Sequence, residues 1–311
     1  MSVRDWAGVY LKGAAMGAAD AVPGVSGGTI ALITGIYERL VGAIAALDPA
    51  EAVMLLELLP HLTSADGRAE FASTLREMDV PFLVMLAVGV LTAVLTVANL
   101  VEIARHEYTA ITFAFFLGLI AASVVVLLSE VSLDTTGRVT AGIVGFAVAF
   151  ALSGAGQGSL LSASLPLVFV AGAIAICAMV LPGVSGSLLL LTFGLYATMT
   201  NAVSEATDAV LAGNLGAASA PVTTLVVFSL GALLGVLTFA RVVEWAFDHY
   251  RAATLTFLVA LMAGALRAPA IKITEATGAW TLETGVPVLV AALVGAGLVL
   301  VLDATTDDLD Y

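Results

Sequence analysis

Charge is what this sequence has least of. Only 11% of its 311 residues are Asp, Glu, Lys or Arg, where a soluble domain carries about 25%. That deficit excludes disorder, which needs polarity and net charge to stay solvated. Cysteine occurs once, as Cys177 inside an apolar run, so there is no intrachain disulfide and no thiolate metal cluster. Histidine occurs three times, at His61, His106 and His249, always in connections between apolar stretches. Lysine occurs twice, at Lys12 and Lys272. Eleven Lys plus Arg face 24 Asp plus Glu, a net charge of −13. With no basic patch to displace phosphate counterions, a nucleic-acid partner is excluded. The poverty of lysine and the acidic tail (Asp303, Asp307, Asp308, Asp310) suit a protein adapted to high salt, where clustered carboxylates are screened. The N-terminus shows no short apolar block ending in a small-residue cleavage site, so no removable signal peptide is expected.

Apolar length is what remains. Hydrophobic residues make up 60% of the chain and mean hydropathy is +1.08. This is the composition of an all-α polytopic membrane protein. Six stretches are long enough to cross roughly 30 Å of hydrocarbon: near 81–101, 110–129, 139–153, 223–241, 252–270 and 285–303. Two more are interrupted. Residues 6–47 break at Pro23-Gly24-Val25-Ser26-Gly27-Gly28, and 165–200 at Pro182-Gly183-Val184-Ser185-Gly186-Ser187. Proline removes a donor and glycine permits non-helical dihedrals, so each reads as two helical legs around an irregular turn. Residues 48–80, with an amphipathic patch (Glu51, Val53, Met54, Leu55, Leu56, Leu59) and then mixed charge, are expected at the interface or in water.

The chain repeats itself. Val22–Tyr37 set against Leu181–Tyr196 gives eight identities in 16 positions, at an offset of 159. Gly89–Phe115 against Gly231–Phe257 gives 13 in 27, at an offset of 142, pairing Glu102 with Glu244 and Tyr108 with Tyr250. These four sit at span ends and read as interface anchors. The expected units are 1–153 (hairpin 6–47, interfacial 48–80, spans 81–153) and 154–311 (hairpin 165–200, spans 223–303, acidic tail). If each broken segment crosses the membrane, the copies are parallel and, Arg39 aside, five Lys/Arg lie on each side. If each enters and returns, the copies are inverted. Arg4, Lys12, Arg68, Arg76, Arg138, Arg241 and Arg251 then share the N-terminal side, against Arg105, Arg267 and Lys272 opposite. Seven to three follows the positive-inside rule, so the expectation is six spans, two re-entrant hairpins and both termini cytoplasmic.

Irregular backbone at membrane depth survives only where protein or a water-filled cavity covers it. Two such turns, one per inverted half, would meet near the midplane with unpaired amides at the start of their second legs. Gly27, Gly28 and Gly186 would let those amides approach an anion, with Ser26, Thr29, Ser185 and Ser187 adding hydroxyl donors. Arg39 would compensate its charge. Asp20 and Glu38, acids without an aligned partner (Met179 and Ala197), are candidate sites for a coupling proton or Na⁺. Plain kinks, and a local Glu38–Arg39 pairing at the interface, are the bland alternatives. Gly24-Val25-Ser26-Gly27-Gly28 matches the G-x-S-x-G nucleophile string, but no span carries a His or Lys opposite it to serve as base. Neither an enzyme nor a metal site is expected.

The string Ala19-Asp20-Ala21-Val22-Pro23-Gly24-Val25-Ser26-Gly27-Gly28-Thr29, continuing through Gly35-Ile36-Tyr37-Glu38-Arg39, closely resembles the polyprenyl-phosphate transporter family, as does the second string Leu181–Tyr196. The resemblance covers essentially the whole chain. It implies a flippase returning a phosphorylated polyisoprenoid carrier across the cytoplasmic membrane for reuse in envelope or glycan assembly. That carrier is undecaprenyl phosphate in bacteria, or a dolichyl-type phosphate if the acidic composition is archaeal. It implies no cofactor beyond a coupling H⁺ or Na⁺. Two rivals stand beside it: an ion-coupled transporter of a small soluble anion, and a non-transporting membrane scaffold.

Overall fold

The computed structural model describes residues 3–20, 26–47, 54, 57–154 and 164–306, and among these it is helical with no strand. The Pro23-Gly24-Val25 turn, most of the expected amphipathic patch and Asp307, Asp308 and Asp310 lie outside the described residues. Helices are numbered α1 (Val3–Asp20), α2 (Gly27–Ile33), α3 (Tyr37–Ala45), α4 (Ala65–Glu77), α5 (Val80–Glu107), α6 (Thr109–Leu127) and α7 (Thr136–Ser153). They continue as α8 (Leu165–Val180), α9 (Gly186–Thr192), α10 (Tyr196–Leu211), α11 (Leu215–Ala265), α12 (Arg267–Thr277) and α13 (Leu282–Thr306). Among the described residues four helices are long and apolar enough to cross a bilayer, or up to seven if each bent pair forms one span. Much of their surface is apolar side chain, such as Leu95, Ile143, Leu234 and Leu293, as lipid-facing helices require.

Sequence signals explain most boundaries. Ser64 caps α4 by accepting from the Gly67 amide at 3.0 Å, and Thr135 caps α7 from the Arg138 amide at 3.4 Å, each satisfying an orphan donor. Within 48–80 the polar α4 meets α5 at a 66° bend. The expected spans 223–241 and 252–270 prove to be two arms of α11, divided at Tyr250, whose φ of −141° and ψ of 41° are non-helical. Its second arm stops at Ala265 rather than 270, because the chain turns at Leu266 and Pro269 falls in the first turn of α12, where a missing amide costs nothing. Tyr108, aligned with Tyr250, has nearly the same backbone (φ −126°, ψ 44°) between α5 and α6.

The packing repeats along with the sequence. A β-carbon on Gly13 would overlap the Leu86 carbonyl oxygen, and one on Gly172 would overlap that of Phe228. Both pairs are related by the same two sequence offsets. Likewise Gly89 lies against the Tyr10 carbonyl and Gly231 against that of Phe169. So α1 seats on α5 as α8 seats on α11, backbone to backbone over glycine, the way apolar helices associate where lipid offers no hydrophobic drive. The remaining spans cross over. In α6, Gly118 meets Ala292 of α13, and in α7, Gly145 meets Phe257 of α11. Each half therefore packs a span against the other half.

Candidate functional site

Two hydrogen bonds set the direction of the first broken segment. The Gly27 amide, at the start of α2, donates to Asp20 Oδ1 at the end of α1, at 2.6 Å. Lys12 Nζ, two turns back along α1, donates to the Thr34 carbonyl at the far end of α2, at 2.8 Å. With Asp20 beside Gly27 and Lys12 beside Thr34, α2 runs back along α1. Gly35, at φ +70°, then turns the chain into α3 at 116°. The second segment has the same parts: α9 is also seven residues long, Gly194 has φ +73°, and the bend into α10 is 108°.

The tips of the two segments touch. Ser26 Oγ donates to the Leu181 carbonyl at 3.1 Å, and Thr29 Oγ1 accepts from the Gly183 amide at 2.9 Å. Both hydroxyls are buried. A β-carbon on Gly28 would lie 2.5 Å from the Val180 carbonyl oxygen, so only glycine admits this approach. On the other side of the contact, a cavity of about 210 Å³ gathers Asp20 with Ser185, Gly186 and Ser187. The Ser185 and Ser187 hydroxyls are 2.9 Å apart. Seven of the expected phosphate-binding residues and Asp20 thus converge, from both halves. Their donors are already engaged in part: the Asp20 carboxylate occupies the Gly27 amide, where an external anion was expected to sit.

Glu38 and Arg39 do not join that cluster. They follow α2, whose seven residues at 1.5 Å each separate them from the tips by about 10 Å. They line a second cavity, of about 630 Å³, together with Lys12, Tyr37, Glu130 and Arg251. Arg39 is held by Asp79, through Nε at 2.6 Å and Nη2 at 2.8 Å, and its guanidinium lies 4.2 Å over the Phe82 ring. Glu38 accepts from Arg251 Nη2 at 2.7 Å. In place of the alternative of a local Glu38–Arg39 pairing stand two long-range pairs, one reaching into each half. Tyr37 is buried against Phe247 at 6.0 Å between ring centroids, and its hydroxyl has no hydrogen-bond partner among the described residues. Sequence reasoning passed over Tyr37 and Arg251 as site residues. Tyr37 is nonetheless identical to Tyr196 in the repeat, and Arg251 directly follows the repeated Tyr250.

Known proteins now bear on this geometry. Residues 16–285 match the undecaprenyl phosphate translocase-like family. The chain is 36% identical to the polyprenyl-phosphate transporter of Vibrio cholerae, covering 84% of this chain and 77% of that one. It is 31% identical to the polyprenyl-phosphate transporter of Staphylococcus aureus, covering 82% and 83%. No solved structure matches it. A polytopic helical protein of this length, matched from within α1 to the start of α13, belongs to the undecaprenyl phosphate translocase-like family, whose members are transporters and not enzymes.

Proposed function

We propose that this protein moves polyprenyl phosphate across the cytoplasmic membrane, returning the carrier lipid for reuse, with the two broken segments acting as inverted re-entrant hairpins. The observation that carries the reading is the 630 Å³ cavity. It holds Asp5 at the chain start, Glu38 beyond the first hairpin, Glu130 after α6 and Arg251 at the break in α11. If the hairpins enter and return, all four lie on one face of the membrane. If they crossed, Glu130 and Arg251 would be on opposite faces, about 30 Å apart. The geometry thus favours the inverted arrangement, and the seven-to-three excess of Lys and Arg on that face supports cytoplasmic termini and a cytoplasmic cavity.

In this reading the touching tips form the barrier at mid-membrane, and the phosphate passes where Ser26, Gly27, Gly28, Thr29, Ser185, Gly186 and Ser187 meet, while the tail stays in lipid. Asp20 is a built-in anion on the Gly27 amide. Neutralising it with a proton, or drawing it onto Na⁺, frees that amide for the substrate phosphate. Substrate entry and cation binding are thereby linked at one atom, with no covalent step. Arg39, proposed from the sequence to compensate the phosphate charge, is neutralised by Asp79 and stands about 10 Å from the tips, so it takes no part at this point of the path.

The test is translocation of a fluorescent polyprenyl phosphate by the purified chain in proteoliposomes, beside uptake of inorganic phosphate. Lipid translocation without phosphate uptake supports the reading. Phosphate uptake without lipid movement makes it a soluble-anion transporter, and neither activity leaves a scaffold.

A further inference from the structure

We infer that the larger cavity is a docking site for a phosphate monoester headgroup, separate from the hairpin tips, in which Tyr37 and Arg251 are the donors and Glu38 is the anion that the phosphate displaces. This rests on the transport reading and adds a first station on the cytoplasmic side.

The Tyr37 hydroxyl is the primary indication. The residue is 1% exposed, lines the cavity, and its oxygen has no hydrogen-bond partner among the described residues. A buried hydroxyl left unpaired is destabilising, and buried polar groups in folded proteins are nearly always satisfied. Phenylalanine would fill the same place against Phe247 without that cost. The oxygen is closed off in this conformation, so a small opening toward the cavity brings it to a ligand oxygen, which supplies the missing partner.

Charge supplies the second indication. The chain has only eleven Lys and Arg, yet Lys12, Arg39 and Arg251, from three different helices, line this one cavity. Facing them are Asp5, Glu38 and Glu130, with Asp79 holding Arg39 from α5's N-terminal side. The two arginines are held differently. Arg39 is bidentate and stacked. Arg251 makes one close bond to Glu38, at 2.7 Å, and a long one at 3.5 Å, with both side chains about half exposed. Such a pair contributes little to stability, so exchanging its carboxylate for another anion is cheap. A phosphate monoester, with close to two negative charges and three acceptor oxygens, can take both faces of the Arg251 fork and still accept from Tyr37. The apolar wall beside these groups, formed by Val9, Ile36, Leu127 and Leu255, suits the first carbons of an isoprenoid chain.

The experiment is calorimetric binding of farnesyl phosphate to the full chain in detergent, with inorganic phosphate as the second probe. Tyr37→Phe is expected to weaken farnesyl phosphate by about fivefold and Arg251→Gln by at least about tenfold. Tyr37→Phe should leave the melting temperature equal or higher, which a structural role for the hydroxyl would not. Glu38→Gln releases Arg251 and should tighten binding, a gain that misfolding cannot imitate. Farnesyl phosphate binding well above inorganic phosphate identifies a lipid headgroup; equal affinities identify free phosphate in the same site. Unchanged binding in both Tyr37→Phe and Arg251→Gln, or weaker binding in Glu38→Gln, overturns the inference. Translocation by the same preparations separates the two claims. A parent that moves no lipid sinks the transport reading, whereas a parent that moves lipid while these variants bind normally sinks only the docking site.

Discussion

Asp20 is where replacing one atom should separate transport from its driving force. Its Oδ1 accepts from the buried Gly27 amide at 2.6 Å, beside Ser185 and Ser187 of the other half. A hydrogen bond to an ionised group contributes about 1.5–3 kcal/mol and one between neutral groups about 0.5–1.5 kcal/mol. Asp20→Asn keeps an acceptor oxygen and removes the charge, so it weakens the seat by about 1 kcal/mol. The opened tip then becomes about fivefold more populated. Passive lipid exchange should persist, while accumulation driven by a pH or Na⁺ gradient disappears. Asp20→Ala goes further and leaves the Gly27 amide without its partner, a cost of about 1–3 kcal/mol. It should lose exchange as well. Gly27→Ala should resemble Asp20→Ala, since its β-carbon would fall 2.5 Å from Asp20 Oδ2 and push the carboxylate away. The assay is exchange of labelled polyprenyl phosphate in liposomes with and without each imposed gradient. If Asp20→Asn responds to both gradients as the parent does, Asp20 is only a cap on α2 and the coupling assignment is wrong.

Other expectations follow from the same geometry. In a Cys177→Ser background, single cysteines at Asp66 and Asp134 should label from the cytoplasmic side and one at Ala279 from outside; labelling of positions 66 and 134 from the same face as 279 would end the inverted arrangement. Gly13→Leu and Gly172→Leu each drive a side chain into a backbone carbonyl of the neighbouring helix, so both should destabilise the fold by more than the usual 1–3 kcal/mol of overpacking. Comparable losses of folded protein in detergent are expected, and tolerance in one half alone would refute equivalent packing. Arg39→Ala removes a bidentate pair and a ring contact that are each partly exposed, about 1 kcal/mol after screening. Arg39→Lys should recover little of it in thermal melts, because an ammonium cannot reproduce the fork.

Much of the architecture was legible because lipid imposes length and hydropathy on each span separately. The interruptions that precede α2 and α9 were announced by Pro-Gly-Val-Ser-Gly, whereas Tyr108 and Tyr250 read as interface anchors and not as the backbone breaks they are. That the two tips lie together was legible only in part, since Ser26 and Gly27 recur as Ser185 and Gly186 while Asp20, Gly28 and Thr29 do not recur. What stayed hidden depends on contacts across the chain. Arg39 with Asp79 and Glu38 with Arg251 are 40 and 213 residues apart, and no periodicity links such partners. Only folded, with α3 against the first arm of α11, does Tyr37 become a buried hydroxyl without a partner among the described residues. The seven residues of α2 also decide a point that the sequence left open, by putting Arg39 and the tips at opposite ends of one short helix.

The most direct test of the account concerns the tip contact between Ser26 and Leu181, which must part whenever a headgroup crosses. A Ser26→Cys, Leu181→Cys pair in the Cys177→Ser background, cross-linked by oxidation, should halt translocation of polyprenyl phosphate in proteoliposomes, and reduction should restore it. A fully cross-linked protein that translocates at the reduced rate would contradict the account, because the lipid phosphate would then be passing somewhere other than between the hairpins.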